Sequence, residues 1–250
     1  MPVRRSRFAL LGLVGLVACG DKAPAPAAPP PPVPRVSATT APACTRVVFG
    51  AHVVDAGSDL MQQIRTYVSV EGGQSRTLGG AIRIELEEWS LPGSGGGPFG
   101  PSVTTDVFAT AADRRRLEAF FVDLARSDPA MAPPPDRKIL VEAVAAGWRS
   151  YLVHAEAQVT SADVASARAV TDPVDGRQIV LTLTEDGQRA LYDVTGENVG
   201  RKLALVLDGI VWKAPIIDRR IDGGGLSIAM PPALTQAQLD ALVARFTCRP

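Results

Sequence analysis

The sequence is poor in the residue types that form metal centres and nucleophilic active sites. It contains two His and three Cys in 250 residues, and no HExxH, paired CxxC or GxSxG motif. His52 and His154 are interpreted as structural or surface residues. The Gly-rich stretches 93–97 and 223–225 lack the strand–helix context of a phosphate-binding loop. We therefore expect no cofactor, no metal site and no enzymatic activity.

Neither sign of charge is in excess, because 26 Lys and Arg balance 26 Asp and Glu. Domains that bind nucleic acid usually carry a basic patch and a net positive charge, so nucleic acid is not an expected partner. Aromatic residues are also scarce, at 5% of the chain, whereas hydrophobic residues as a whole make up 46%. The composition therefore predicts a folded core built mainly of Val, Leu, Ile and Ala.

Long apolar runs are rare as well, and the run at the N-terminus is too short to span a bilayer. Three Arg within the first seven residues precede the apolar segment 8–18, whose last three residues form the sequence LVAC together with Cys19. A membrane-spanning helix needs about 20 apolar residues. The pattern predicts a bacterial lipoprotein signal peptide over 1–18, with lipid attached to Cys19 after cleavage. The alternative is an ordinary signal peptide with an incidental Cys.

The predicted lipid site, Cys19, is followed by a segment rich in Pro and Ala, and the two together span residues 19–43. Such sequences favour extended polyproline II structure at about 3.1 Å per residue, so we expect a spacer between the membrane and the folded part. Gly20 replaces the Asp that commonly retains lipoproteins at the inner membrane, although Asp21 follows directly. We predict a location in the cell envelope, facing the periplasm, at the outer membrane.

Two further cysteines stand at opposite ends of the predicted folded part, Cys44 and Cys248. An exported protein lies in a compartment that permits disulfides. We predict that the two cysteines pair, and the alternative is two free thiols.

Hydrophobic periodicity predicts a mixture of strands and helices without strict βαβ alternation. This pattern favours an α+β fold with mixed, largely antiparallel sheets and packed helices. Thr110 is predicted to cap the second helix, and Thr235 with Gln238 to form a capping box at the last one. Glu87 and its acidic neighbours are interpreted as a solvated strand face. Strands are predicted at 45–54, 81–89, 103–110, 148–157, 177–184, 203–207 and 221–230, and helices at 58–68, 111–127, 160–170, 185–196 and 234–246.

The stretch GRKLALVLDGIVWKAPII, residues 200–217, has the pattern of a hairpin. Asp208 and Gly209 separate two apolar runs, which is typical of a two-residue type I′ turn. Both faces of the first run are apolar, so we expect this strand to be covered on both sides. Pro215 lacks an N–H and marks an edge or the end of pairing. Trp212 and Lys213 are the candidates in this stretch for contact with a partner.

Four stretches in the C-terminal half carry a family resemblance. VTSADVASARAV (159–170) is similar to an entry helix, and IVLTLTEDGQRALYDVT (179–195) to the strand and helix that follow. NVGRKLALVLDGIVWKAP (198–215) is the most specific stretch. IDGGGLSI (221–228) fits the family's isoleucine and paired glycines. The hairpin and turn residues that fit the family pattern are Gly200, Asp208, Gly209, Pro215, Gly223 and Gly224. The segment from Tyr151 to Phe246 thus resembles the head subdomain of the first periplasmic domain of SecD, a component of the SecDF protein-export complex.

The resemblance implies a SecD periplasmic base-like region at 44–150 and a head-like subdomain at 151–250. SecD continues into transmembrane helices, and we expect none after the last helix of this chain. The resemblance implies a membrane-anchored protein that binds unfolded or exported polypeptides, or components of the Sec translocase. The alternative is an envelope scaffold with the same fold and a partner unrelated to export.

Overall fold

The computed structural model describes residues 45–70, 81–91, 103–173, 176–231 and 233–248. None of the helices in these ranges is both long and apolar enough to cross a bilayer. The strands are β1 Phe49–Val53, β2 Ile82–Ser90, β3 Val103–Ala111, β4 Arg137–Val144, β5 Gly147–His154, β6 Val159–Thr160, β7 Val164–Asp172, β8 Gly176–Leu183, β9 Leu203–Leu207, β10 Ile210–Lys213 and β11 Gly225–Ala229. The helices are α1 Asp59–Val70, α2 Arg114–Ser127, α3 Glu185–Glu197 and α4 Gln236–Phe246.

These strands form two sheets, and the predicted α+β fold is confirmed. The larger sheet has the order β2-β3-β5-β4-β10-β9-β1-β6, and the smaller one has the order β11-β8-β7. All strand pairs are antiparallel except β4 with β10. The larger sheet contains strands from both sides of the predicted division at residue 150, and that division stays a prediction.

Two large hydrophobic clusters lie on the larger sheet. One holds the apolar faces of α1 and α2 against β2, β3 and β5, with Ile64 and Leu117 fully buried. The other, called the main cluster below, joins β1 and β9 to the smaller sheet and to the helices α3 and α4, and it includes the fully buried Leu191 and Leu239. Each fully buried side chain of this size contributes about 1.5–3 kcal/mol through the hydrophobic effect. The second cluster therefore fixes the smaller sheet against the larger one.

Helix starts agree with the prediction at α4 and differ at α2. The capping box is present, because the Gln238 amide N–H donates to Thr235 Oγ1 over 3.3 Å and the Gln238 side chain accepts from the Thr235 amide over 2.9 Å. The predicted cap Thr110 is wrong, because Thr110 pairs with Arg149 in the sheet. Asp113 caps α2 instead and accepts from the backbone N–H of Arg116 over 3.0 Å.

The predicted helix at 160–170 is wrong. Thr160 and Asp163 do form a capping box, but it closes only a single 3₁₀ turn at Ser161–Asp163. The chain then continues as β7, which pairs antiparallel with β8 along most of its length. This pairing places Ala167 and Ala169 against the main cluster. Tertiary pairing therefore outweighs the helical propensity of the Ala-containing run.

The predicted hairpin is confirmed. Asp208 and Gly209 have φ of 49° and 80°, as a type I′ turn requires. The side chains of β9 divide between two hydrophobic clusters, one on each face of the sheet, so the strand is covered on both sides. The Asp208 carboxylate also accepts from the Val48 amide over 3.0 Å and forms an ion pair with Arg245 over 2.8 Å. The turn therefore anchors both the start of the folded part and α4.

Replacing Gly209 by alanine is expected to lower the free energy of unfolding by about 1–2 kcal/mol, because an alanine at positive φ is strained. Among the described residues other than its two chain neighbours, no atom lies within 4 Å of a Cβ built at position 209, so the loss reports backbone strain. Gly223→Ala is the matched control, since Gly223 has equally open surroundings and no positive φ. Urea denaturation measures both variants, and equal stability of the two would contradict the assignment.

Candidate functional site

A cleft of about 440 Å³ lies where the larger sheet meets β11 of the smaller sheet. One wall carries charged and phenolic side chains from β2, β4 and β5 and from the segment before β9. The opposite side is formed by the chain that leaves β10 and by β11, and it carries small and aliphatic side chains. The lining residues are Glu87, Glu142, Arg149, Tyr151, Lys202, Leu205, Lys213, Ala214, Pro215, Ile216, Ser227 and Ala229.

A network of four charges forms the base of the charged wall. Lys202 Nζ lies 2.7 Å from Glu87 Oε2 and 3.4 Å from Asp106 Oδ2. The Arg149 guanidinium contacts the same two carboxylates, at 2.5 Å from Glu87 and 2.8 Å from Asp106. Lys202 and Asp106 are 3% and 4% exposed. A buried Lys202 and a partly buried Arg149 are thus shared between two carboxylates, which is the arrangement that lets buried charges persist.

Aromatic rings enclose both cations of this network. Lys202 Nζ lies 4.4 Å from the centre of the Trp89 ring, and the Arg149 guanidinium lies 3.6 Å from the centre of the Phe108 ring. Cation–π contacts of this kind contribute about 0.5–2 kcal/mol each. The Trp89 indole N–H also donates to the carbonyl of Gly200 over 2.8 Å. Together these contacts tie the segment before β9 to the strand β2.

The environment shifts the pKa values of the acids in opposite directions. Burial raises the pKa of Asp106 even though two cations contact it. For Glu87, burial acts to raise the pKa, but the hydrogen bonds from Lys202 and Arg149 outweigh it and the pKa is lowered. Burial also raises the pKa of Glu142, against the effect of the Tyr151 hydroxyl, which donates to it over 2.5 Å. Relative to the same groups in water, the site therefore favours the ionised form of Glu87 and disfavours that of Asp106 and Glu142.

The arrangement suits binding better than catalysis. Each of the three acids already accepts a hydrogen bond from Lys202, Arg149 or Tyr151, so none is held ready as a free base. In the ranges that the structure describes, no three His, Cys, Asp or Glu side chains are grouped as metal ligands would be. His52 is buried and its Nδ1 lies 2.9 Å from the carbonyl of His154, which fits its interpretation as a structural residue.

The two residues predicted to contact a partner, Trp212 and Lys213, lie in different surroundings in the structure. Lys213 is exposed and lines the cleft together with Pro215. Trp212 lies at a bulge in the pairing of β10 with β9, and it is partly buried against the main hydrophobic cluster. A role for either residue in partner contact stays a prediction.

Of the predicted hairpin and turn residues, Pro215 lines the cleft and the other described ones do not. Gly200 has φ of 88° and its carbonyl accepts from Trp89, whereas the glycines at 223 and 224 precede β11. The turn at 208–209 does not line the cleft. Cys248 is buried, while Cys19 and Cys44 lie outside the described residues.

Sequence reasoning missed the charged network. The Glu87 side chain is 38% exposed, in keeping with a solvated strand face, but it also bonds both Lys202 and Arg149, which its local pattern does not indicate. The partners of Lys202 lie 96 and 115 positions away along the chain, beyond any local pattern. One signal was present: Lys202 directly precedes an apolar run that is covered on both faces, and a charge in such a place needs a buried partner.

The C-terminal part of the chain, which supplies most of the cleft, matches a known family. Residues 138–245 match the family model of the SecDF P1 head subdomain. This head-like part contributes Glu142, Arg149, Tyr151 and Lys202 to the cleft, whereas Glu87 precedes it in the chain. The resemblance derived from the hairpin and its neighbouring stretches is thereby supported.

Curated relatives and a solved structure show similarity to the same kind of protein. The protein translocase subunit SecDF of Thermus thermophilus is 42% identical over 87 residues, which cover 35% of this chain and 12% of that protein. The protein translocase subunit SecD of Desulfurispirillum indicum is 38% identical over 96 residues, which cover 38% of this chain and 19% of that protein. A solved structure of SecDF, a membrane component that enhances protein export, aligns with 83% of this chain and 66% of that chain, at 24% identity and a TM-score of 0.40. The chain therefore spans less than a fifth of the length of these two curated relatives.

Proposed function

We propose that this chain is a non-enzymatic protein of the cell envelope that assists protein export by binding polypeptide in the cleft. The observation that carries the proposal is the match of residues 138–245 to the SecDF P1 head subdomain. The relatives with the same similarity are subunits of the protein translocase. Components of the Sec translocase and polypeptides in export are the partners that this similarity favours.

The chemistry of the cleft supports a polypeptide as its ligand. Ala214, Pro215 and Ile216 present an apolar surface that can contact aliphatic side chains. The cations Lys202 and Arg149 on the opposite wall are already neutralised by carboxylates. A site without a dominant charge does not select ligands by charge, which is the property needed to bind polypeptides of varied sequence.

The proposal includes the lipid anchor predicted from the sequence. A lipid on Cys19 followed by the Pro/Ala-rich segment would hold the cleft at a distance from the membrane, facing the periplasm. Placement at the outer membrane follows from Gly20 alone and stays part of the proposal. Labelling with a radioactive fatty acid tests the anchor, since Cys19→Ser abolishes incorporation if the prediction holds.

Site-specific photocrosslinking in living cells tests polypeptide binding. A photoreactive residue in place of Ile216, which is 36% exposed and lines the cleft, is expected to crosslink to a secreted protein arrested during export. The same residue in place of Val122 on α2 is the matched control, because Val122 is 54% exposed and lies outside the cleft. Equal crosslinking at both positions would contradict the proposal. Crosslinks from 216 to folded envelope proteins alone would point to a scaffold instead.

A further inference from the structure

The strand β11 lies at an edge of the smaller sheet. Its neighbour in that sheet is β8, with which it pairs antiparallel from Gly225–Thr182 to Ala229–Gln178. An edge strand has one row of backbone N–H and C=O groups that its own sheet does not use. The direction in which this row points decides what the edge can bind.

The hydrogen bonds at the two ends of β11 show which residues face β8. The Leu183 amide donates to the Gly224 carbonyl over 2.9 Å, and the Met230 amide donates to the Arg177 carbonyl over 2.8 Å. In an antiparallel pair, hydrogen-bonded and non-hydrogen-bonded residues alternate along each strand. The even-numbered residues of β11 therefore bond β8, and the backbone groups of Gly225, Ser227 and Ala229 point away from it.

This open row belongs to a strand that borders the cleft. Ser227 and Ala229, two of the three residues with outward backbone groups, line the cleft wall. Apart from the pairing of β11 with β8, the described residues form no backbone hydrogen bond to Gly225, Ser227 or Ala229. The side chains of Leu226 and Ile228 are buried in the main cluster and hold the strand in place. The strand thus brings to the cleft a row of backbone donors and acceptors that its own sheet does not use.

We propose that the cleft binds an extended polypeptide as an additional strand on β11, an inference that rests on the proposed function. Backbone groups of residues 225, 227 and 229 would pair with the backbone of the incoming segment, which is the recognition mode known as β-strand addition. Five residues of β11 extend over about 17 Å, so they can pair with a similar length of chain. Because every polypeptide offers the same backbone groups, this mode tolerates varied sequences.

The charged wall of the cleft does not require a particular charge on the bound segment. Lys202, Arg149 and their carboxylates are engaged with one another, so side chains of the bound segment need not supply a particular charge. Lys213 and Glu142 stand at the cleft as the charges outside that network. Recognition would then depend on an extended backbone more than on side-chain identity.

Ser227→Pro in the mature chain tests the proposal directly. The change removes one outward N–H, and proline is tolerated on an edge strand where that N–H does not pair. The probe is a soluble unstructured ten-residue peptide without net charge, and its Kd is measured by fluorescence anisotropy. Loss of a single backbone hydrogen bond and of the strand geometry around it is expected to weaken binding about tenfold.

Two variants control for other effects of this substitution. Thr171→Pro makes the same change on β7, the opposite edge of the same sheet. Thr171 lies opposite Arg177, whose backbone bonds Met230 on the β11 side, so the backbone groups of Thr171 point away from β8. This variant is expected to bind as the unaltered protein does. Ser227→Ala removes the hydroxyl that contacts Gln178 but keeps the backbone N–H, so it measures the effect of losing the side chain alone, and Ser227→Pro is expected to bind about tenfold more weakly than Ser227→Ala. Circular dichroism confirms that each variant is folded.

A modified peptide tests the same point without altering the protein. Methylation of the amide nitrogens of its five central residues leaves the side chains in place and removes the donors, so binding is expected to be lost. Unchanged binding of this peptide, or of the normal peptide to Ser227→Pro, would overturn strand addition while leaving crosslinking at 216 intact. Absence of both peptide binding and crosslinking at 216 would overturn the proposed function as well.

Discussion

Replacing Lys202 by methionine is expected to lower the free energy of unfolding by about 3–5 kcal/mol, the usual cost of removing one partner from a buried ion pair. Lys202 is 3% exposed and contacts both Glu87 and Asp106. Without it, Arg149 alone must neutralise two carboxylates, one of which is 4% exposed. Methionine has a similar length and an apolar stem, so the decrease in the free energy of unfolding measures the effect of removing the positive charge. Equilibrium denaturation in urea measures it.

Lys213→Met is the matched control for this measurement, because Lys213 lines the same cleft but is exposed. Exposed substitutions of this kind usually change stability by less than about 0.5 kcal/mol. Asp106→Asn combined with Lys202→Met is expected to cost less than the sum of the two single changes, since the carboxylate left without a partner is then removed. A loss below about 1 kcal/mol for Lys202→Met would contradict the structural role of the network.

Reduction of the predicted bond between Cys44 and Cys248 is expected to lower the free energy of unfolding by about 5 kcal/mol in the chain-entropy account, because the bond would close nearly the whole folded part into one loop. The described residues beside these cysteines are already in contact. The Val47 amide donates to the Arg245 carbonyl, and Arg245 Nε donates to the carbonyl of Thr45, both over 3.2 Å. The start of the folded part thus lies against the end of α4.

Thiol titration of the denatured mature chain carrying Cys19→Ser measures the pairing, and the expected result is no reactive thiol before reduction. Two reactive thiols would contradict it. Stability is then compared with and without reductant. The variant in which Cys44 and Cys248 are both serine is the control, and its stability is expected to be independent of reductant.

Local signals predicted the elements whose formation depends on nearby residues. The Asp208–Gly209 turn needs positive φ at two adjacent positions, and few sequences satisfy that requirement. The capping box at Thr235 likewise involves residues only three positions apart. In contrast, the helix predicted at 160–170 is a strand because β8, a separate part of the chain, pairs with it. A cap signal shows that a helical turn begins, but not how far the helix continues.

The candidate site was less predictable than the fold for the same reason. Lys213 and Pro215 were identified within the hairpin, and both line the cleft. The network of Glu87, Asp106 and Lys202 joins strands and segments that are about a hundred residues apart, so no spacing in the sequence relates them. An acidic residue on an alternating strand has the same local pattern whether it faces solvent or a buried cation.

Polypeptide binding in the cleft is tested most directly by the ratio of photocrosslinking at position 216 to that at position 122, measured with a secreted protein arrested during export. Binding in the cleft predicts strong crosslinking of the arrested polypeptide from position 216 and background crosslinking from the exposed surface of α2. It also predicts that Ser227→Pro lowers the signal from 216 and that Thr171→Pro does not. A signal at 216 no greater than that at 122 would contradict polypeptide binding in the cleft.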